Sequence, residues 1–139
     1  ENFFFKSNLT YTRGGSVKNP NPLPSISPLF GAFYLKWIDS NLKMQLSYRF
    51  SEAKNPEEYS KGGEDGLEET PIIGYQNKAP IYNGMPSWGV LKFSSSFKLT
   101  KNLKTILILD NLLDIHYREF ASGISSPGRN LNIVFEYDF

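Results

Sequence analysis

The sequence contains no cysteine and a single histidine, His116. Without cysteine there can be neither a disulfide framework nor thiol chemistry, although the cellular compartment stays open. One histidine disfavours a metal site built from histidines and a catalytic centre that needs an imidazole base. Nothing else in the chain forms a catalytic constellation, so we expect a protein that is not an enzyme and has no metal site or cofactor.

A strong charge of one sign is also missing, because 15 basic and 14 acidic side chains leave a net charge of +1. This balance gives no electrostatic footprint for nucleic acid. The acidic residues are nevertheless concentrated in residues 52–69, where only Lys54 and Lys61 oppose them. Seven acids lie there: Glu52, Glu57, Glu58, Glu64, Asp65, Glu68 and Glu69. We expect a solvated acidic loop in this region.

Long apolar runs are absent as well, and the longest clean one is residues 106–109. A membrane helix needs about 18 apolar residues, so none is predicted. Helical periodicity is nearly absent, and this leaves the strand as the main element. Membrane β-barrels are not excluded, because their strands alternate and have a low mean hydropathy.

What the sequence does contain is alternation with period two. In residues 42–51, LKMQLSYRFS, apolar side chains take every second position and polar ones the positions between. Successive side chains of a strand point to opposite faces, so such a strand has one apolar and one polar face. The pattern recurs in residues 3–12, 91–100 and 131–139, with Val134 as the exception, and more weakly in residues 29–37.

Residues 103–111 are apolar at both sets of positions, so the sequence predicts a sixth strand without assigning its faces. The connections between strands alternate in length. IDSN and TKN are short polar turns, whereas residues 14–28, 53–87 and 118–129 are long and rich in Gly, Pro, Asn and Ser. Short turns at one end and long loops at the other are typical of outer-membrane barrels.

Aromatic residues are predicted near the strand ends, where an interfacial girdle would need them. They are Trp37, Tyr48, Phe50, Trp88, Tyr117, Tyr137 and Phe139. The fold class predicted from these patterns is therefore all-β, an antiparallel up-and-down meander of about six long strands.

The last forty or so residues, KLTKNLKTILILDNLLDIHYREFASGISSPGRNLNIVFEYDF, resemble the carboxy-terminal end of TonB-dependent outer-membrane receptors. In that family a strand ends in Asn-Leu-(apolar)-Asp and leads to a segment that contains tyrosine. A loop then closes on Pro-Gly-Arg-Asn before a final strand that ends on Phe. The matching residues are Asn111, Leu112, Asp114, Tyr117, Pro127, Gly128, Arg129 and Asn130, followed by Phe139. Arg129 is a candidate partner for Asp114 or Glu136.

The resemblance implies that residues 1–139 are the carboxy-terminal segment of a 22-stranded transmembrane barrel. Because six strands do not readily close by themselves, we expect a piece of a longer receptor whose plug domain lies elsewhere. It also implies the outer membrane of a Gram-negative bacterium, and energised uptake of a scarce ligand such as a ferric siderophore, cobalamin or an oligosaccharide. The implied partners are outer-membrane lipid, the rest of the barrel and plug, and the TonB complex.

A further implied partner is the barrel-assembly machinery, which recognises a terminal strand with alternating aromatics and a final Phe. Asn132, Tyr137 and Phe139 match this signal. Val134 stands where the signal usually has a small residue, so the match is incomplete.

Ligand contacts are expected on the long loops. Tyrosine suits sugars and aromatic chelates because it offers a flat apolar face and a hydroxyl group. The candidates are Tyr59, Tyr75, Tyr82, Trp88 and Arg118. A loop that only covers the barrel mouth explains the same residues equally well.

Two other architectures stay open at this point. One is a soluble β-sandwich or lipocalin-like binding module, since its strands alternate in the same way. The other is a small complete outer-membrane barrel, which needs at least two more strands. Residues 53–87 could contain them.

Overall fold

The structure, a computed structural model, describes residues 2–15 and 21–139. Glu1 and residues 16–20, part of the predicted loop 14–28, lie outside the described residues. Six strands form one antiparallel sheet in the order β1-β2-β3-β6-β7-β8. Their bounds are Asn2–Thr10 (β1), Phe30–Ile38 (β2), Leu42–Ser51 (β3), Trp88–Lys98 (β6), Leu103–Asp110 (β7) and Asn130–Tyr137 (β8). The predicted all-β up-and-down meander is confirmed.

The connections alternate in length as predicted. Two tight turns, closed by hydrogen bonds from Asp39 N–H to Leu42 O and from Leu99 N–H to Leu103 O, join β2 to β3 and β6 to β7. Three long loops join the other strand ends: the first long loop (11–29), the second (52–87) and the third (111–129). Because the sheet is antiparallel throughout, all three long loops emerge from the same end.

One face of the sheet is apolar across all six strands. Residues that are paired across strands share a face, and the register aligns Phe5 with Leu35, Leu46 and Phe93. Leu109 and Leu131 continue the same row on β7 and β8. The face is also uncovered, since Phe5 is 70% exposed and Phe135 66%.

The opposite face is mainly polar and holds cross-strand ion pairs. Lys92 Nζ lies 2.9 Å from Asp110 Oδ2, and Lys104 Nζ lies 2.6 Å from Glu136 Oε2. These pairs settle the faces of β7, which the sequence left open, because Lys104 and Asp110 point to the polar side. Val134 is an apolar residue on the polar face of β8, and it lies opposite another apolar residue, Ile106, on β7.

The second long loop has structure of its own. It contains single-turn 3-10 helices at Pro56–Glu58 and Leu67–Glu69, and a hairpin of β4 (Ile72–Gln76) and β5 (Ala79–Tyr82). This hairpin forms a separate two-stranded sheet. It therefore adds no strand to the six-stranded sheet, which is what a small complete barrel would have required.

Across residues 2–15 and 21–139, no helix combines the length and apolar character needed to cross a membrane.

The chain end differs slightly from the predicted terminal strand. The strand β8 ends at Tyr137, and the pairing continues through hydrogen bonds between Asp138 and Asn102. Phe139 is fully exposed and makes an edge contact with the Tyr137 ring, with ring centroids 5.1 Å apart.

Gly31 on β2 is a position where the close approach of two strands requires glycine. A Cβ atom there would lie 2.5 Å from the carbonyl oxygen of Asn8, a backbone atom that cannot rotate away. We expect Gly31→Ala to lower the free energy of unfolding by about 1–3 kcal/mol, because overpacking forces the backbone apart. Urea denaturation in detergent measures this change. Gly15→Ala is the control, since its Cβ would meet nothing within 4 Å, and an equal effect of both substitutions would contradict the explanation.

Candidate functional site: a cavity where the long loops meet

Asn111 closes the third long loop on itself. It has a positive φ of 48° directly after β7, and it is 2% exposed. Its side chain accepts a hydrogen bond from Ile115 N–H (2.9 Å) and donates to the carbonyl oxygens of Ile115 (2.9 Å) and Pro127 (3.1 Å). Asparagine tolerates this backbone conformation and has both donor and acceptor atoms, so it suits the position.

Asp114 makes the second closure of the same loop. Its Oδ1 accepts a hydrogen bond from the backbone N–H of Arg129 at 2.8 Å. Asp114 therefore binds the backbone of Arg129 and not the predicted guanidinium, while Glu136 pairs with Lys104. Together, the two closures bring the Asn-Leu-Leu-Asp and Pro-Gly-Arg-Asn segments, which are far apart in the sequence, to the base of one loop.

A buried lysine joins all three long loops. The Lys54 side chain is 3% exposed, and its ammonium donates a hydrogen bond to Ile26 O and lies 3.6 Å from Asp65 Oδ2. The rings of Tyr59 and Phe120 lie 5.0 Å and 4.2 Å from the same nitrogen. We refer to these five residues as the Lys54 cluster.

The Asp65 side chain is 1% exposed, and both of its carboxylate oxygens accept hydrogen bonds from backbone N–H groups. Its Oδ1 accepts from Ser25 N–H at 2.7 Å, and its Oδ2 accepts from Ser60 N–H at 3.2 Å. Burial lowers the pKa of the Lys54 ammonium, and the nearby Asp65 carboxylate opposes this effect. Burial also raises the pKa of the Tyr59 phenol. The cluster thus places opposite charges in a region from which water is excluded.

A cavity of about 320 Å³ is lined in part by Met85, whose backbone is hydrogen-bonded to that of Lys54. One wall comes from the end of the second long loop and the start of β6, with Met85 and Trp88. The opposite wall comes from the third long loop, with His116, Tyr117 and Arg118. The Trp88 and Tyr117 rings contact each other across the junction, with centroids 4.6 Å apart.

Several polar groups surround the aromatic pair. The indole N–H of Trp88 is buried and has no hydrogen-bond partner among the described residues. Arg118 donates to the backbone oxygen of Glu69 and lies 3.6 Å from its carboxylate. Arg49 lies 5.8 Å from the centre of the Trp88 ring and pairs with Glu119 at 2.7 Å. Such a combination of flat apolar surface and directed donors is typical of sites for small organic ligands.

The structure brings together two of the five predicted ligand contacts, Trp88 and Arg118, which both line the cavity. Tyr59 is 4% exposed and belongs to the Lys54 cluster. Tyr75 is 69% exposed on the β4–β5 hairpin, away from the cavity lining. Tyr82 lines a separate groove with Ile73 and other residues of the second long loop.

The predicted aromatic girdle is divided between the two faces. Trp37, Tyr48, Phe50 and Tyr137 lie in apolar rows of the sheet. Trp88 pairs with Ser51 on the polar face, and Tyr117 contacts Trp88 there. The prediction that these last two belong to a lipid-facing girdle is therefore wrong, because the strand register turns Trp88 to the polar side.

Sequence reasoning named Tyr59 but missed the other residues of the Lys54 cluster, and it missed the cavity residues Met85 and His116. Lys54 did stand out as one of two cations among seven acids, which was the available signal. Ile26 and Phe120 lie 28 and 66 positions from Lys54 in the sequence, and Tyr59 and Asp65 lie 5 and 11 positions from it. No local sequence pattern connects these residues. No group of three His, Asp or Glu side chains within the described ranges is placed to hold a metal ion.

The six-stranded antiparallel sheet has the fold of a segment of a large outer-membrane β-barrel. It is similar in structure to the copper transporter OprC, with a TM-score of 0.74 and 18% sequence identity over 99% of this chain. The chain spans 21% of the length of that transporter. No protein-family model and no curated protein matches the sequence. At this level of identity the similarity establishes the fold alone.

Replacement of Asn111 tests the closure of the third long loop. We expect Asn111→Ala to lower the free energy of unfolding by about 2–4 kcal/mol, because it leaves buried backbone groups of Ile115 and Pro127 unpaired. Urea denaturation in detergent measures the loss. Asn83→Ala, at an exposed loop position, is the control and should change stability by less than about 0.5 kcal/mol. Equal stability of Asn111→Ala and the wild type would show that these hydrogen bonds do not hold the loop.

Proposed function

We propose that this chain forms the last strands of the barrel of a TonB-dependent outer-membrane transporter. The observation that carries the proposal is the sheet itself, whose apolar face continues across six strands while the opposite face holds ion pairs. A continuous apolar face suits contact with lipid, and a polar face suits a lumen filled by water or protein. The fold similarity to a transporter barrel supports the same conclusion.

The exposed apolar face also favours a barrel over the soluble sandwich. In a sandwich a second sheet packs about 10 Å from the first and covers its apolar side. The only other sheet in the described part of the chain is the short β4–β5 hairpin of the second long loop. Phe5 and Phe135 accordingly stay exposed, and lipid is the environment that would cover them.

The proposed setting is the outer membrane of a Gram-negative bacterium. The edge strands β1 and β8 would pair with the remaining strands of the barrel, since unpaired strand edges are unfavourable in lipid. A plug domain and the TonB complex would act through other parts of the receptor. Asn132, Tyr137 and Phe139 would be read by the barrel-assembly machinery.

The proposed role of the cavity is contact with an organic ligand during energised uptake. The Trp88–Tyr117 pair offers flat apolar surface, and the unpaired indole N–H and Arg118 offer donors. Ferric siderophores, cobalamin and oligosaccharides all have oxygen acceptors beside rings or apolar surfaces. OprC is named as a copper transporter; among the described residues of this chain, no group of three His, Cys, Asp or Glu side chains is placed to hold a metal ion.

The orientation of the sheet can be tested with single cysteines, because the chain has none of its own. Leu46 and Gln45 are neighbours on β3 with opposite orientations. A fluorophore on Leu46→Cys should be quenched by brominated lipid, and one on Gln45→Cys should not, because only the first faces the hydrocarbon. The measurement uses the full-length receptor in lipid nanodiscs. Equal quenching of both positions by a water-soluble quencher would refute the lipid-facing sheet.

The cavity can be tested by binding of ferric siderophores, cyanocobalamin and labelled oligosaccharides to the full-length receptor. For the compound that binds, Trp88→Ala should weaken affinity by about 10- to 100-fold, because it removes the stacking surface and a buried donor. Tyr75→Ala is the matched control on the exposed hairpin and should change affinity by less than about twofold. An unchanged affinity of the Trp88 variant would remove the cavity from ligand recognition.

A further inference from the structure

We infer that Lys54 and Asp65 are positioning residues of the cavity, and that the Lys54 ammonium occupies a cation site which holds the three long loops together as one unit. The inference concerns how the loops assemble, so it does not depend on which ligand the protein binds or on whether it transports one.

The surroundings of the ammonium are those of a site for a cation. It contacts the Ile26 carbonyl oxygen, the Asp65 carboxylate and the faces of two aromatic rings, Tyr59 and Phe120. Carbonyl oxygens, carboxylates and ring faces all carry negative charge or partial negative charge. A neutral group of the same size would gain none of these attractions.

These contacts come from all three long loops. Ile26 lies in the first long loop, Tyr59 and Asp65 lie in the second, and Phe120 lies in the third. Asp65 strengthens the connection because it also accepts the N–H of Ser25 from the first loop. The ammonium is thus a common partner of three segments that lie far apart along the chain.

Lys54 is linked to both walls of the cavity, through its backbone on one side and through its ammonium on the other. Its backbone exchanges hydrogen bonds with Met85, from Lys54 N–H to Met85 O at 2.9 Å and from Met85 N–H to Lys54 O at 3.0 Å. These two hydrogen bonds hold Met85, which lines the same wall of the cavity as Trp88. The opposite wall leads through Arg118 to Phe120, whose ring lies over the Lys54 ammonium.

The ion pair of Arg118 and Glu69, which joins the third long loop to the second, is a weaker support. The side chains of Arg118 and Glu69 are 32% and 45% exposed, so solvent screens their attraction. The Lys54 and Asp65 side chains are 3% and 1% exposed, and removal of one partner would leave a buried charge uncompensated. The buried pair should therefore decide whether the loops stay together.

Chemical rescue with an amine tests the cation site directly. The protein used is the full-length protein in detergent, and hydrogen–deuterium exchange is followed in peptides from each long loop and from the strands. We expect Lys54→Ala to accelerate exchange in all three loops by about 100-fold or more, while β3 and β6 peptides stay protected. Added n-propylammonium, which supplies the carbons and ammonium that the substitution removes, should restore protection in all three loops.

Three controls separate charge from packing. n-Propanol has the size of the amine without its charge and should not restore protection. Lys54→Met fills the space with a neutral side chain, so its loops should exchange as fast as those of Lys54→Ala, and the amine should not rescue it. Lys61→Ala removes an exposed lysine of the same loop and should leave exchange unchanged.

The outcomes are decisive in either direction. Rescue by the amine alone, in all three loops together, establishes the cation site. Equal rescue by n-propanol, wild-type protection in Lys54→Met, or acceleration confined to residues near position 54 would overturn it. Should Lys54→Ala fail to fold, Asp65→Asn provides the second test. It must loosen the first and second loops together, and protection of both at the wild-type level would refute the inference.

Discussion

Strand register is the constraint on which the rest of this structure depends. Successive side chains of a strand point to opposite faces, so a slip of one residue between neighbouring strands would mix the apolar and polar faces. The pairing within the six-stranded sheet keeps Phe5, Leu35, Leu46 and Phe93 in one row and the Lys–carboxylate pairs on the other side. Because all six strands obey this register, the sheet can separate two environments.

The sheet by itself has little buried core, and the burial in this chain lies largely at the loop end. Buried apolar side chains are Ala32 and Val90 on the strands and Tyr59 and Met85 in the second long loop. Lys54 and Asp65 are buried among them, so polar contacts connect the loops together with the ring contact of Tyr59 and Phe120. Such an arrangement specifies one geometry, since a buried charge is tolerated only with its partners in place.

The sheet and the long loops together determine where the cavity lies. The sheet presents Trp88 at the end of β6 on the polar face, and the third long loop presents Tyr117 and Arg118 against it. Asn111 and Asp114 close the base of that loop, while the Lys54 cluster closes its tip through Phe120. The cavity thus lies at the end of the sheet from which the three long loops emerge.

The sequence by itself determined the strands, the two tight turns and the alternation of faces, because these follow from local periodicity. The sequence also predicted Trp88 and Arg118 as candidates for ligand contact, because aromatic and guanidinium groups suit such contacts. It could not assign the faces of residues 103–111, whose apolar side chains occupy both sets of positions. Only pairing with β6 and β8 placed Lys104 and Asp110 on the polar side. Only the tertiary structure, likewise, turned Trp88 to the polar face and joined Lys54 to Asp65 and Phe120, because contacts between distant segments depend on where the strands place the loop ends.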